Sequence, residues 1–151
     1  MLIRALSPPD VDAVLAIQSA CPEIAQWSAW DYERAVRGEM AGWIAEENSA
    51  VIGFLVARRV VADIEILNFA VALPSRGKGI GSALLRAALR WAQSFAAENA
   101  LLEVRASNSA AIAFYQRHEF EIAGRRPGYY SAPDDDALLL TAHLRERAKS
   151  T

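Results

Sequence analysis

Apolar and polar residues along this chain follow two different periods, and the shorter period predicts strands. Alternation of apolar and polar residues, or a short apolar run, predicts a strand at each of seven places: 1–6, 42–46, 51–59, 63–71, 101–104, 120–124 and 137–144. The stretch 125–136 between the last two strands is predicted to be a loop, and the polar tail after Leu144 is predicted to fray.

Apolar stripes at helical spacing predict four helices between these strands. They lie between Ser7 and Pro22, over 27–37, from about 82 to 98, and over 109–117. Trp30 and Val36 are the expected core positions of the second helix. Strands that interleave with helices, together with hairpin-length connections, indicate an α/β domain with a mixed sheet. The third helix and its flanking strands form a predicted right-handed β-α-β crossover.

The fourth predicted strand changes its apolar face part of the way along. Ile64 and Ile66 share one face, whereas Leu67, Phe69 and Val71 continue the apolar phase on the other. Either both faces are buried beyond this point, or a bulge inserts one extra residue. A bulge would leave backbone groups unpaired and able to bind an extended ligand.

Three alternating glycines, Gly77, Gly79 and Gly81, separate that strand from the longest predicted helix. Glycines at this spacing let successive backbone N–H groups converge, and the start of the helix adds further unpaired N–H groups. Arg76 and Lys78 supply positive charge that we expect to be mobile. We interpret the loop as a cradle for a pyrophosphate, the alternative being a glycine-rich turn without a ligand.

Two well-known glycine loops do not match this one. A P-loop closes on Gly-Lys-Ser/Thr, whereas Gly81 is followed directly by Ser82. The dinucleotide fingerprint is Gly-x-Gly-x-x-Gly, and its fold places an acidic residue about 20 residues further on, near the position of Glu103. The spacing of the glycines disagrees with that fingerprint, and the chain offers no second mononucleotide-binding half.

Composition and charge narrow the class of protein. The 151 residues are enough for one domain with a real core, and hydrophobic residues make up 53% of them. A net charge of −2 gives no overall attraction to nucleic acid, and no apolar run is long enough to cross a membrane. We therefore expect a cytoplasmic protein with neither partner. Cys21 is the single cysteine, so no internal disulfide forms and no metal site is expected.

Glu103 is the residue whose position most suggests chemistry. It stands inside the apolar run Leu101-Leu102-Glu103-Val104, which is a predicted buried strand. A carboxylate on such a strand loses hydration, which raises its pKa towards the range of a general base. The alternative is a structural carboxylate that reaches water at the end of the sheet or pairs with Arg105.

Two segments carry a resemblance to a known family. The loop Arg76-Gly77-Lys78-Gly79-Ile80-Gly81 and the string Leu-Glu-Val-Arg-Ala-Ser-Asn at 102–108 resemble the GNAT family of acetyl-CoA-dependent N-acetyltransferases. The second string, the following helix to Tyr115, and the pair Tyr129-Tyr130 look like bacterial ribosomal-protein alanine N-acetyltransferases. The resemblance covers nearly the whole chain in order. It implies a single GNAT domain over 1–151 with a mixed, mostly antiparallel sheet of about six to seven strands and about four flanking helices.

The same resemblance implies a function and roles for individual residues. The expected reaction is acetyl transfer from acetyl-CoA to a protein N-terminal amine, with a small-subunit ribosomal protein beginning with alanine as the expected acceptor. Glu103 would be the general base, Tyr115 the general acid, and Asn108 a hydrogen-bond partner of the pantetheine arm. The backbone of Phe69, Ala70 and Val71 would pair with the pantetheine and the thioester carbonyl. The pyrophosphate would be wrapped by Arg76, Gly77, Lys78, Gly79, Ile80, Gly81 and Ser82.

The acceptor side is where this sequence departs from the family pattern. The ribosomal-protein alanine N-acetyltransferases usually show Pro-Trp-Ser near the second helix, and this chain has Gln26-Trp27-Ser28. Trp27, Ser28, Tyr129 and Tyr130 are the expected acceptor-binding residues. An acetyltransferase for another peptide or small amine, a non-catalytic acyl-CoA sensor and a nucleotide-binding module are the alternatives, and Tyr115 could be an ordinary core aromatic.

Overall fold

A computed structural model describes residues 1–144, so the tail for which fraying is predicted lies outside the described residues. Within them the chain forms seven strands and four α-helices. In chain order these are β1 (Leu2–Ala5), α1 (Val11–Ser19), α2 (Ala29–Val36), β2 (Ala41–Glu47), β3 (Ala50–Val60), β4 (Asp63–Val71), α3 (Ile80–Ser94), β5 (Asn99–Arg105), α4 (Ser109–Arg117), β6 (Glu121–Tyr130) and β7 (Asp135–His143). No helix among them is long and apolar enough to cross a membrane.

All seven strands form one sheet, in the order β1-β2-β3-β4-β5-β7-β6. Five of the six neighbouring pairs are antiparallel, and β4 with β5 is the parallel pair. Parallel neighbours need a crossover connection, which α3 supplies. The mixed, mostly antiparallel sheet with four flanking helices is the predicted fold class.

Helices cover both faces of the sheet, and each face has its own hydrophobic core. The α3 and α4 face is the larger and includes Leu84, Leu85 and Ala88 of α3 together with Tyr115 of α4. The α1 and α2 face buries Val14, Ile17, Tyr32 and Ala35 against β2, β3 and β4. The prediction for α2 was wrong for Trp30, which is 57% exposed, whereas Val36 is partly buried and packs against this core.

Side-chain caps fix where the helices begin. Ser28 caps α2 by accepting a hydrogen bond from the N–H of Asp31, whose carboxylate accepts from the Ser28 N–H in return. Asn108 caps α4 by accepting from the N–H of Ala111 at 3.2 Å. Both caps therefore use residues that the sequence analysis assigned to ligand binding.

The predicted loop over 125–136 was wrong for its first half. Strand β6 continues to Tyr130, with register shifts after Ile122 and Arg126. Pro127 and Gly128 look like a turn in the sequence, but β6 is an edge strand, where a residue without a ladder hydrogen bond is tolerated at a bulge. The long hairpin brings Tyr129 and Tyr130 back over the end of β5.

Candidate active site

A cleft opens in the middle of the sheet because β4 and β5 pair over only three residues. Their parallel register runs from Asp63 with Asn99 to Glu65 with Leu101 and then stops. On its other side β4 continues to pair with β3. The register of that pair shifts between Ile66 and Asn68, so Leu67 is an extra residue in β4 with no partner in β3. The bulge that the apolar pattern allowed is thus confirmed, and it lies where the two strands separate.

The bulge also reverses which side chains of β4 face which core. Ile64 and Ile66 lie in the core beneath α3, whereas Ala70 lies in the core beneath α1 and α2. Phe69 and Val71 return to the α3 side. Beyond Leu67, side chains on both faces of β4 therefore pack against a core, and the chain has a bulge as well, so both explanations of the pattern apply.

Backbone groups of β4 face the open cleft beyond the bulge. The N–H of Ala72 donates to Ile52 O at 2.8 Å. Backbone groups alternate in direction along an antiparallel ladder, so the N–H and C=O of Ala70 also point towards β3, while those of Phe69 and Val71 point into the cleft. Ala70 therefore offers no backbone group to a ligand, contrary to the sequence expectation. The Phe69 N–H already donates to Asn68 Oδ1 at 3.2 Å. This leaves the Phe69 carbonyl and the Val71 N–H facing the cleft.

The glycine loop forms an open cradle at one end of the cleft. Gly77 and Gly79 have φ of 79° and 82°, and a Cβ atom at either would meet no atom within 4 Å. Gly79 is the N-cap residue of α3, and its carbonyl accepts a hydrogen bond from the N–H of Ala83 at 3.1 Å. The N–H groups of residues 80–82 precede this first helical bond and therefore have no partner in the helix. Gly81 lies close to Phe114, and a Cβ atom added at Gly81 would come within 3.5 Å of that ring. The arrangement favours an anion at this helix start.

A first cavity of about 520 Å³ extends from this cradle along β4. Its lining is mainly apolar, which is typical of a ligand-binding groove. Of the cofactor-binding residues expected from the sequence, Lys78 alone does not line it. Those that do are Phe69, Ala70, Val71, Arg76, Gly77, Gly79, Ile80, Gly81, Ser82 and Asn108.

Arg76 is not the mobile charge that the sequence suggested. Its Nε donates to Val71 O at 3.0 Å, and its Nη2 contacts Glu23 Oε1 at 3.2 Å and the buried Cys21 Sγ at 3.1 Å. Burial raises the pKa of the Cys21 thiol, and the guanidinium opposes that rise only in part. Arg76 therefore joins the glycine loop to the segment before α2.

A second cavity of about 520 Å³ lies on the other side of the cleft. Glu65 and Glu103 line it from the two separated strands, and Tyr129 and Tyr130 line it from the end of β6. The segment 22–26, which precedes α2, forms another part of its wall. Trp27 and Ser28 do not line either cavity, so the structure does not bring those two predicted acceptor residues to the site.

Glu103 reaches the second cavity from the α1 and α2 face of the sheet. Its neighbours Leu102 and Val104 point into the core beneath α3, so Glu103 points the opposite way. Its side chain is 23% exposed, and its carboxylate lies 3.5 Å from the guanidinium of Arg126 on β6. The suggested partner Arg105 is engaged elsewhere, since it donates to the Pro133 carbonyl at 2.9 Å and stacks on Tyr130.

Tyr115 reaches the cleft from the opposite face. It lies on α4 and is 8% exposed, with its ring against Phe69, Phe114 and Phe120. Burial raises the pKa of its hydroxyl, and no hydrogen bond joins that hydroxyl to any residue in the described part of the chain. Tyr115 is thus a buried aromatic whose hydroxyl keeps its proton and has no hydrogen-bond partner among the described residues.

The two cavities meet. Six residues line both of them: Glu23, Ile24, Phe69, Asn108, Ala111 and Tyr115. The cap hydrogen bond uses the side-chain Oδ1 of Asn108. The side-chain N–H groups of Asn108 are therefore left to donate into the junction. A ligand in the glycine-loop cavity and one in the Glu103 cavity would therefore touch at this junction.

Sequence reasoning missed Glu23, which lies at the junction and holds Arg76. Nothing in its local sequence distinguishes it from a surface glutamate. Asn68 was also missed as a structural residue, although a buried amide inside an apolar strand is an unusual feature. Within residues 1–144, no group of three or more His, Cys, Asp or Glu side chains could hold a metal ion.

Comparison with known proteins gives consistent results. A family model described as the acetyltransferase (GNAT) family matches residues 11–120. An N-alpha-acetyltransferase of Sulfurisphaera tokodaii is 31% identical over 94% of this chain and 92% of its own length. The [ribosomal protein bS18]-alanine N-acetyltransferase of Escherichia coli K12 is 32% identical over 62% of this chain and 65% of its own length. The crystal structure of the ribosomal-protein-S18-alanine N-acetyltransferase from Escherichia coli superposes with a TM-score of 0.85, at 26% identity, over 95% of this chain and 93% of that one.

Proposed function

The chain belongs to the acetyltransferase (GNAT) family and is an N-acetyltransferase that uses acetyl-CoA, and from this premise we propose that its acceptor is the α-amino group of a protein N-terminus. The specific acceptor that we propose is a small-subunit ribosomal protein that begins with alanine. Relatives that act on ribosomal protein bS18, and others named as N-alpha-acetyltransferases, support this choice.

The residues of the first cavity fit the acyl donor. Open space above Gly77 and Gly79 and the free N–H groups of residues 80–82 suit a diphosphate. The Phe69 carbonyl, the Val71 N–H and the Asn108 amide suit the polar groups of a pantetheine arm. When acetyl-CoA is bound, its thioester supplies an acetyl group that is activated towards amines.

The proposed role of Glu103 is to remove a proton from the acceptor. A free α-amino group has a reference pKa of roughly 8, so near neutrality most of it is ammonium and cannot attack. Glu103 lines the second cavity and its side chain is partly exposed, so it can accept that proton directly or through a water. A positioned base of this kind contributes about 10²–10⁴-fold to the rate.

The proposed role of Tyr115 is to supply a proton to the departing sulfur. Tyr115 lines both cavities, and its hydroxyl keeps its proton because of burial and has no partner among the described residues. The Val71 N–H, which faces the cleft, is placed to donate to the oxygen on which negative charge develops. Holding the amine against the acyl group contributes the larger part of the acceleration.

The junction itself carries the proposal. A glycine-loop cavity meets a second cavity that holds a carboxylate, and a buried tyrosine stands between them. A non-catalytic acyl-CoA sensor needs the first cavity only, and neither a second cavity nor Glu103 opposite Tyr115. The second cavity also has room for the first few residues of an extended peptide.

The acceptor is tested with a synthetic peptide that begins with alanine and contains one internal lysine. After incubation of the protein with acetyl-CoA, fragmentation mass spectrometry should place the new acetyl group on the α-amine. The matched control is the same peptide with its N-terminus blocked, which should stay unmodified. Acetylation of the lysine, or of the blocked peptide, would contradict an N-terminal acceptor. Acetylated N-termini in a cell extract treated in the same way should then include the ribosomal protein.

A small-molecule amine is the second candidate acceptor. A mycothiol acetyltransferase of Corynebacterium efficiens is 31% identical over 66% of this chain, which spans 36% of that protein. If the peptide is not acetylated while small-molecule amines are, this candidate replaces the first.

Gly79→Ala should weaken acetyl-CoA binding without abolishing the fold. A non-glycine residue at φ of 82° costs about 1–2 kcal/mol, so the melting temperature should fall by several degrees. The added methyl group would project into the cradle, so the Kd for acetyl-CoA should rise by about tenfold or more. Isothermal titration and thermal unfolding measure the two effects.

Gly38→Ala is the control. Gly38 has φ of 90°, also meets no atom within 4 Å, and lines neither cavity. It should lower the melting temperature similarly and leave the Kd unchanged. Equal effects of the two variants on the Kd would show that backbone strain, and not the cradle, governs binding.

A further inference from the structure

A connected set of buried polar side chains runs behind the second cavity. Gln18, Tyr32 and Asn68 are 5%, 0% and 4% exposed, and they lie on α1, α2 and β4. We propose that these three residues are a positioning device that holds the segment 20–28 against the β4 bulge and so sets the wall of the acceptor cavity. The inference rests on the proposed function, because it takes the second cavity as the acceptor's.

The device is continuous from strand to helix. Asn68 Nδ2 donates to the Tyr32 hydroxyl at 2.9 Å and to the carbonyl of Ala25 at 3.0 Å. The Tyr32 hydroxyl in turn donates to Gln18 Oε1. The Gln18 Nε2 group donates to the carbonyl of Trp27 at 2.8 Å. The side chains thus bind one another and grip two backbone carbonyls of the segment.

The segment needs such partners because most of it has no regular structure. Between α1 and α2 its backbone makes turn hydrogen bonds near Cys21 but no ladder or helix bonds further on. Gln26 adds a local clasp by donating to the carbonyls of Cys21 at 3.1 Å and Ile24 at 3.2 Å. Residues 22–26 line the second cavity, and Glu23 and Ile24 line both cavities. The position of this wall therefore depends on the side chains behind it.

The bulge couples this device to the cleft. The extra residue Leu67 turns Asn68 towards α2, where its amide meets Tyr32. The same irregularity comes where β4 leaves β5, and Asn68 Oδ1 accepts from the N–H of Phe69, which lies at the junction. The bulge in β4 thus determines both where the cleft opens and where the segment 20–28 is held.

The device does not change with pH in the range of an assay. Asp31 precedes Tyr32 on α2, where the Asp31 carboxylate accepts hydrogen bonds from Ser28. The residues that face Tyr32 from β3 and α1 are Phe54 and the neutral Gln18. Burial raises the pKa of Tyr32, so its hydroxyl stays protonated. The hydrogen bonds of the Tyr32 hydroxyl therefore persist across that range.

The first test uses the acetyl-CoA-bound protein and hydrogen–deuterium exchange. Tyr32→Phe keeps the ring and removes the hydroxyl that joins Asn68 to Gln18. Amides in 20–28 should exchange about tenfold faster, since two buried polar groups lose a partner, while those at the start of α3 are unchanged. Gln18→Leu should give the same local effect. Val14→Ala is the control, because Val14 is fully buried in the same core but has no polar group.

The second test separates positioning from general destabilisation. In Tyr32→Phe, KM for the acceptor peptide should rise about tenfold, with kcat and the KM for acetyl-CoA within about twofold of the native values. Unchanged exchange in 20–28, or an equal change in Val14→Ala, would overturn the inference. If the native protein acetylates no peptide, the proposed function fails, and the exchange experiment still decides on the positioning device.

Discussion

Glu103→Gln is expected to lower kcat/KM for peptide acetylation by about 10²–10⁴-fold near pH 7. Glutamine has nearly the same shape, so the fold and the ion-pair partner Arg126 stay in place while the proton acceptor is lost. Activity should recover in part as the pH rises past about 8, because the amine then arrives already deprotonated. Steady-state kinetics on the alanine peptide between pH 6 and 10 measures both effects.

Glu65→Gln is the matched comparison. Glu65 lines the same cavity from β4, but its carboxylate is bound by Arg58 of β3 at 2.9 Å. Removing its charge should alter the KM for the peptide more than kcat, and should leave the steepness of the pH profile unchanged. A native rate for Glu103→Gln at neutral pH would contradict the base assignment. Equal losses in the two variants would point to overall cavity charge instead.

The cleft could be predicted from the sequence because its cause is local. The change of apolar face between Ile66 and Leu67 is visible without any neighbour, and it marks the bulge at which β4 leaves β5. The glycine loop and the caps of α2 and α4 are equally local, since each depends on residues within one turn. These features fix the position of the first cavity.

The partners of the site residues could not be predicted, because they come from distant parts of the chain. Glu103 meets Arg126 and not Arg105, since β7 pairs with β5 and carries its hairpin partner β6, with Arg126, to the same end of the sheet. Arg76 is held by Cys21 and Glu23, which lie more than 50 positions earlier. Composition and periodicity carry no information about such pairings.

The helix α2 shows the same limit in a single element. An amphipathic pattern predicts Trp30 as a core residue, and the structure buries Tyr32 instead. Trp30 finds its partner on the surface, where the Arg37 guanidinium lies 4.4 Å from its ring centre. Tyr32 is buried because Gln18 and Asn68 satisfy its hydroxyl, which only the folded chain brings together.

Tyr115→Phe is expected to lower kcat by about 10²-fold or more, while the Kd for acetyl-CoA stays close to the native value. The phenylalanine ring keeps the packing against Phe69 and Phe120, so the melting temperature should change little. What is lost is the proton donor at the junction of the cavities. Steady-state kinetics measures kcat, and isothermal titration calorimetry with acetyl-CoA measures the Kd.

The pH profile separates this defect from that of Glu103. Burial raises the pKa of Tyr115, so the native hydroxyl holds its proton at every pH up to the ordinary tyrosine value of about 10. Because the donor is fully protonated throughout the assay range, its removal should lower the whole profile without changing its shape. Glu103→Gln should instead steepen the profile, since its rate follows the fraction of free amine. Full activity of Tyr115→Phe, or recovery of that variant at high pH, would return Tyr115 to the role of a core aromatic.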